Sequence, residues 1–282
     1  MGDLLPGNRL AQPLVQGGFG FCRKDAGMPP RYSEQHRLVQ SKFSQQAVHW
    51  GAMTVPQDLQ AILERIELSP EARVLDVAAG SGLLGRALAR RAREVLAVDI
   101  TPEMLEAGRD AAAREGIDNI TFVQAEAESL PFDEGSFDLV VTRFSLHHIA
   151  EPQRVVNEMV RVARGRGRVL LIDMLVPDDA ELARRANELE RRRDPSHAWT
   201  ATWSQLQAFP ASAGATIVEA YTQDRTRDLE DWIDMSGSEV RDELRAAFEA
   251  DLAGGEPTGL EPYREDGAIR FRHPLGIVLA RA

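Results

Sequence analysis

Between residues 72 and 175 the chain alternates between short runs that are apolar on both faces and stretches of helical period. The runs are ARVLDVAA (72–79), EVLAVDI (94–100), NITFVQAEA (119–127), FDLVVTRF (137–144) and VLLIDML (169–175). Between them lie LLGRALARRA (83–92), a stretch opened by Thr101 and Pro102 with Met104, Leu105 and Ala112 inward, and one with Val155, Val156, Met159 and Ala163 inward. A strand apolar on both faces must be covered on both, and a helix between two such strands is a crossover. The pattern therefore implies an α/β fold: a parallel sheet with helices on each side.

Outside this block the pattern weakens. Leu59, Ile62, Leu63 and Ile66 repeat at the spacing of an amphipathic helix. Residues 1–30, rich in Gly, Pro and Gln, read as a poorly ordered leader, and residues 31–282 as the folded domain. Within that domain, residues 31–55 read as a pair of short helices, and 176–203 as an insertion after the fifth strand that opens with a charged helix over 178–193. Both segments are expected to cap the sheet and hold substrate. A helix leading into ATIVEAYT (215–222), helical segments over 228–254 and the closing AIRFRHPLGIVLARA follow.

With 282 residues, 43% of them hydrophobic, the chain can bury one main core with decorations. The formal charge of −11, with no Arg-rich stripe carrying interleaved aromatics, argues against a nucleic-acid partner. The start MGDLLPGNRL is not a basic segment leading into an apolar one, and no 18-residue apolar run occurs, so a cytoplasmic protein without a membrane span is expected. Cys22 is the only cysteine, which excludes an internal disulfide, and no His, Cys, Asp and Glu cluster has ligand spacing, so no metal is expected. Of the 33 basic residues only Lys24 and Lys42 are lysines, a bias of GC-rich bacterial genomes.

The stretch VLDVAAGSGLLG (74–85) carries G-x-G-x-x-G at Gly80, Gly82 and Gly85, with Asp99 near the distance at which dinucleotide sites place an acidic residue. Spacing alone points to NAD. Asp76, four residues before Gly80, opposes a pyrophosphate, whereas a cationic ligand reverses that sign. S-adenosylmethionine is such a ligand: a sulfonium and an ammonium, no phosphate, and a ribose diol. The Gly80-Ser81-Gly82 turn would let backbone approach its methionine part, Asp99 would accept the ribose hydroxyls, Ile100 would cover adenine, and the turn at Ala125-Glu126-Ala127 would meet the base edge.

Four motifs in order, VLDVAAGSG, AVDIT, QAEAESLPFDEGSFDLVVTRFSLHHI and EMVRVARGRGRVLLIDM, followed by RDPSH (193–197), resemble the class I S-adenosylmethionine-dependent methyltransferases of the ubiquinone/menaquinone-biosynthesis-like group. The resemblance implies a Rossmann-like three-layer sandwich with a seven-stranded, mostly parallel sheet, its last strand antiparallel. It implies the cofactor at the carboxyl ends of the first strands, with S-adenosylhomocysteine as product. Carried over, it places Asp76, Gly80 and Gly82 at the methionine end, Asp99 and Ile100 at ribose and adenine, Glu126 and Ala127 at the adenine edge, and Arg143 where backbone meets the cofactor, with Ala78 and Met104 also expected to bind the cofactor. Glu126 stands for the Asp common in that turn, and Trp199 for a basic residue of many relatives.

Methyl transfer is an in-line displacement, so alignment is the protein's largest contribution and a base is optional. His147 and His148 follow the fourth strand in the loop expected to face the methyl; adjacent residues on a turn diverge, so at most one serves as base. His197 and His49 are further polar candidates. Tyr32, Phe43, Trp50, Trp199 and Trp203 fall in the two capping segments and, with His197, suggest a small aromatic or apolar substrate. The expected function is methylation of carbon, oxygen or nitrogen in a small metabolite of bacterial specialised or cofactor metabolism, by a monomer or homodimer. The alternatives are a cyclase that keeps the cofactor as a structural element, an NAD oxidoreductase, which Asp76 disfavours, and a silent binding protein.

Overall fold

The computed structural model describes residues 33–234 and 238–282. Strands β1 (Arg73–Val77), β2 (Glu94–Asp99), β3 (Ile120–Gln124), β4 (Phe137–Arg143) and β5 (Ala163–Met174) pair in parallel. With β6 (Thr216–Gln223) and β10 (Leu275–Arg281) they form a seven-stranded sheet in the order β3-β2-β1-β4-β5-β10-β6. The final strand, β10, runs antiparallel to both neighbours, as expected of the last strand. The chain winds outward from β1 to β3 and then returns to lay β4 on the other side of β1. At such a reversal the two crossovers diverge and leave a crevice beyond the carboxyl ends of the strands, where ligands bind.

Strict alternation along each strand sorts the core into two layers. Leu75, Val77, Val140, Val169 and Leu171 face a cluster with Val155, Met159 and Leu206, from α5 (Pro152–Val162) and α7 (Trp203–Ser212). Val74, Leu139, Val141, Leu170 and Ile172 face Leu59, Leu63 and Leu84, from α2 (Gln57–Glu64) and α3 (Leu83–Ala89). Each fully buried side chain of this kind contributes about 1.5–3 kcal/mol, so the sheet's central position is fixed by apolar burial on both sides. Helix α4 (Pro102–Arg114) follows Asp99 directly and packs Leu105 and Ala112 against Phe122.

Three parts depart from the sequence expectation. Residues 34–51 form one helix, α1 (Glu34–Gly51), capped by the Ser33 side chain, instead of two short ones. No Pro or Gly interrupts it before Gly51, and its scattered apolar residues reflect sparse burial, since only Ala47 and Gly51 are buried. Strand β5 starts at Ala163, so that residue opens a strand instead of closing the preceding helix. The closing segment divides at His273-Pro274: β9 (Ala268–Arg272) pairs with β7 (Thr226–Asp228) and β8 (Tyr263–Glu265), and only β10 joins the large sheet.

The cap is therefore not wholly helical. The small β7-β9-β8 sheet packs with α6 (Ala180–Arg193), α8 (Leu229–Asp234) and α9 (Ser238–Leu252) around its own core. Trp232, Phe248 and Phe271 meet there with ring centroids 5.1–5.5 Å apart. Its sequence signal was weak because the strands are three to five residues long and lie far apart in the chain. The proposed leader, Cys22 and Tyr32 lie outside the described residues.

Gly108 is the tightest joint between α4 and the turn after β1. A Cβ there would lie 2.5 Å from Phe122 Cε1 and 2.8 Å from the Ser81 carbonyl oxygen, and that carbonyl is backbone and yields little. We predict that Gly108→Ala destabilises the protein by about 1–3 kcal/mol. Thermal denaturation reads the effect, and an unchanged midpoint would show that α4 is free to shift.

Candidate active site

The turn from β1 into α3 is made of left-handed backbone. Ala78, Gly80 and Gly82 have φ of +51°, +56° and +70°. Glycine adopts such angles freely, whereas Ala78 does so under strain of about 1 kcal/mol or more. The Gly82 turn is also tight: a Cβ there would lie 2.6 Å from Phe122 Cε1.

Two carboxylates and a carbonyl take up N–H groups of this turn. Gly80 N–H donates to Asp99 Oδ2 at 2.7 Å, Gly85 N–H to Asp76 Oδ2 at 2.7 Å, and Gly82 N–H to the Ala79 carbonyl at 2.9 Å. A dinucleotide site instead leaves such donors for the pyrophosphate. Asp76 thus acts against a phosphate by occupying a donor, and the expectation that it meets the cofactor directly needs correcting: it is buried beside Gly85 and does not line the cleft. Burial pushes its carboxyl up to about 7, against the pull of the Gly85 N–H.

Asp99 does line the cleft. Its Oδ1 accepts from Thr101 N–H at 2.8 Å while Oδ2 takes Gly80, and each oxygen has a second lone pair left for a hydroxyl. Burial raises its pKa, opposed by the Thr101 and Gly80 N–H groups. The cleft it opens on holds about 980 Å³ including its mouth, within the range of small-molecule sites. Ala78, Gly80, Ile100, Met104 and Ala127 are on its walls. An apolar slot beside a diol-accepting carboxylate, with turn donors already spent, fits an adenosyl group and a cation better than a pyrophosphate.

Helix α1 roofs this cleft through His36, Val39, Phe43 and Trp50. It packs on α4, and polar bonds tie it to the cleft as well. Gln40 Nε2 donates to the Ile100 carbonyl at 2.8 Å, Ser44 Oγ to Glu103 at 2.7 Å, and Ser81 Oγ to the Trp50 carbonyl at 2.9 Å. Gln35 Nε2 donates to both the His148 and the Ser196 carbonyls at 2.7 Å.

The two histidines after β4 sit in a 3-10 turn, Leu146–His148, and diverge. His148 lines the cleft with its ring 5.0 Å from that of Phe43. Its Nδ1 lies 3.0 Å from the Ser196 carbonyl, which can only accept, so Nδ1 carries the proton and Nε2 keeps a lone pair. Burial, and then the charge of His147, push the His148 pKa down to about 4. His147 is buried away from the cleft with Nδ1 2.6 Å from Asp173 Oδ1. Burial lowers its pKa, but the charge and hydrogen bond of Asp173 outweigh that and raise it; the same pairing holds the Asp173 carboxyl below its ordinary value.

The remaining expected residues divide. Phe43 and Trp50 are on the cleft, and Arg143 lines it by the end of β4. Gly82 shapes the turn without lining the cleft, and Glu126 is not on its walls, whereas Glu128 is, 3.0 Å from His36 Nε2. His197 does not line the cleft: it is buried with Nε2 2.9 Å from Asn187 Oδ1, and burial lowers its pKa to about 3. Trp199 is 37% exposed beside the Arg191 guanidinium, outside this cleft. Trp203 packs on the main core and His49 is exposed. Sequence reasoning missed His36, Val39, Glu128 and Phe144; the seven-residue spacing of His36, Phe43 and Trp50 was the available signal that one continuous helix turns a single face to the site.

Comparison with known proteins agrees with this geometry. Residues 75–171 match a family model described as a methyltransferase domain. The methyltransferase YcgJ of Bacillus subtilis strain 168 is 34% identical over 182 residues, 64% of this chain and 72% of that protein. A ubiquinone/menaquinone biosynthesis C-methyltransferase of Idiomarina loihiensis is 39% identical over 114 residues, 39% of this chain, and the match spans less than half of that relative, 45%. The crystal structure of a methyltransferase of Bacillus halodurans C-125 superposes with a TM-score of 0.73 at 29% identity, covering 80% of this chain and 99% of that one. The chain belongs to the class I S-adenosylmethionine-dependent methyltransferases.

Proposed function

We propose that this protein methylates a small acceptor with an aromatic or apolar body, bound under α1, and that Nε2 of His148 receives the acceptor's proton. The observation that carries the reading is that the Asp99 carboxylate, the glycine turn and an unprotonated histidine nitrogen all open on one cleft. When bound, S-adenosylmethionine supplies a methyl on a sulfonium, which passes to the acceptor's electron pair as the sulfur becomes a neutral thioether. Asp99 would hold the ribose, Ile100 and Ala127 the adenine, and the turn at Ala78 and Gly80 the methionine part. The names of the quinone methyltransferases among the relatives support a small metabolite as acceptor.

The chain's own residues then do two things. Phe43, Trp50 and α1 exclude water and fix the acceptor, and alignment of this kind accounts for up to about 7–11 kcal/mol of barrier lowering. His148 is neutral at pH 7 but weakly basic, because burial disfavours a proton on it and His147 beside it disfavours that proton further. A weak base gives the low end of the usual 10² to 10⁴ range and suits an acceptor whose proton is already acidic, such as a phenol or enol.

Three outcomes are expected. Incubation with S-adenosylmethionine and phenolic acceptors should release S-adenosylhomocysteine in equal amount with methylated product; turnover without that release would favour the cyclase alternative. Asp99→Ala should weaken S-adenosylhomocysteine binding by about 10- to 100-fold, the loss of charge-assisted hydrogen bonds worth about 1.5–3 kcal/mol, as calorimetry would show. His148→Ala should cut kcat by about 10²-fold with the fold intact.

The pH profile tests the histidine pair. His148 acts only when neutral, so activity should fall on acidification through a pKa held below 6.5 by burial and by His147. Asp173→Asn takes away the partner that keeps His147 charged. The His148 pKa then rises towards 6.5, since losing the His147 charge outweighs losing that of Asp173, and the acid limb of kcat/KM moves to higher pH. A limb that stays in place would remove His148 from the reaction.

A further inference from the structure

At the tip of β4 and just beyond β6 lies a pair of arginines to which the proposed chemistry gives no role. Phe144 follows β4 with φ +53°, a left-handed angle that strains a bulky residue. That conformation, held by the Phe144 N–H to Ile172 carbonyl bond of 2.9 Å, puts its ring beside two guanidinium groups. The Arg143 Cζ is 4.1 Å and the Arg225 Cζ 5.3 Å from the ring centroid.

Neither guanidinium has a hydrogen-bond or ion-pair partner among the described residues, although each carries five N–H donors. Both are half-buried: burial and then the neighbouring Arg225 lower the Arg143 pKa to about 10, and burial lowers that of Arg225. The carboxylates in range are not their hydrogen-bond partners. Asp173 is engaged by His147, Asp76 by the Gly85 N–H, and Asp58, whose charge reaches both arginines, by the Leu59 N–H at 2.8 Å. Two like charges with unspent donors, stacked on one ring, form a costly arrangement that an anion relieves. Arg143 and Phe144 line the same cleft as His148, Ile100 and Asp99; Arg225 is not on its walls and stands against the Phe144 ring.

We propose that Arg143 and Arg225 bind an anionic group of the acceptor, a carboxylate or a phosphate, with Phe144 against its apolar body. This rests on the methyltransferase reading and narrows its substrate class to aromatic or apolar acids. The guanidinium groups would bind that group by charge-assisted, bidentate hydrogen bonds and so orient the acceptor along β4 towards the methyl.

The test is calorimetry on the full chain saturated with S-adenosylhomocysteine, using benzoate, phenyl phosphate and the neutral benzamide as probes. At least one anionic probe should bind ten-fold or more tightly than benzamide, and which one does so separates a carboxylate from a phosphate site. Arg143→Gln and Arg225→Gln should each abolish the preference while S-adenosylhomocysteine affinity, which also reports folding, stays within threefold. Equal binding of all three probes, no binding of either anion, or a preference that survives both substitutions overturns the proposal. So does a ten-fold loss of S-adenosylhomocysteine affinity in Arg143→Gln, which would give that guanidinium to the cofactor's own carboxylate. Failure of the unaltered protein to bind S-adenosylhomocysteine would instead sink the methyltransferase reading beneath it.

Discussion

Asp99 stands where three elements end. Its carboxylate takes the Gly80 N–H on one oxygen and the Thr101 N–H on the other, both within 2.8 Å, and so ties the turn after β1 to the start of α4. In the proposed function the same group accepts the ribose diol, so the bonds that set the turn would also preorganise that contact. Around it, Gly108 lets α4 approach the Ser81 carbonyl, and the Ser81 hydroxyl reaches the Trp50 carbonyl at the end of α1. The roof of the cleft is thereby connected to its floor through a few polar bonds.

Behind the cleft the protein buries charge in compensated pairs. Asp173 with His147, and Glu190 with Arg193, lie in the interface between the large sheet and the smaller unit built on α6 and β9. A buried pair of this sort costs desolvation that Coulomb attraction only partly offsets, and removal of one member leaves the other stranded. The consequence is electrostatic: burial lowers the His148 pKa, and His147, its ring centroid 4.3 Å away and its own pKa raised by Asp173, lowers it further. Arg143 and Arg225 contrast with this, because they are half-buried and unpaired among the described residues, Arg143 on the cleft and Arg225 against the Phe144 ring.

Much of the fold was legible because apolar burial has a period. The five parallel strands and the helices between them appeared as doubly apolar runs and amphipathic stretches, and the resemblance supplied the antiparallel strand. Pieces with little burial of their own were not legible: α1, with two buried residues, and the small sheet, whose short strands depend on partners far along the chain. The site divided in the same way. Gly80, Asp99, Ile100 and Met104 lie on the cleft because the turn chemistry that marks them is local, whereas Trp199 and His197 were placed from proximity in sequence and lie off it.

The sequence by itself determined the α/β class, the glycine turn and the acidic residue at the end of β2, since each follows from interactions within a few residues or from a repeating burial pattern. Only the tertiary structure decided which of two adjacent histidines meets the cleft, that Asp76 serves the backbone, and that two arginines share one phenyl ring. Those outcomes depend on side-chain direction and on partners such as Asp173 and Ser196, brought within 3.0 Å from 26 and 48 residues away. No local pattern encodes such a meeting, because it is set by how the β5 and α6 ends pack over the turn after β4.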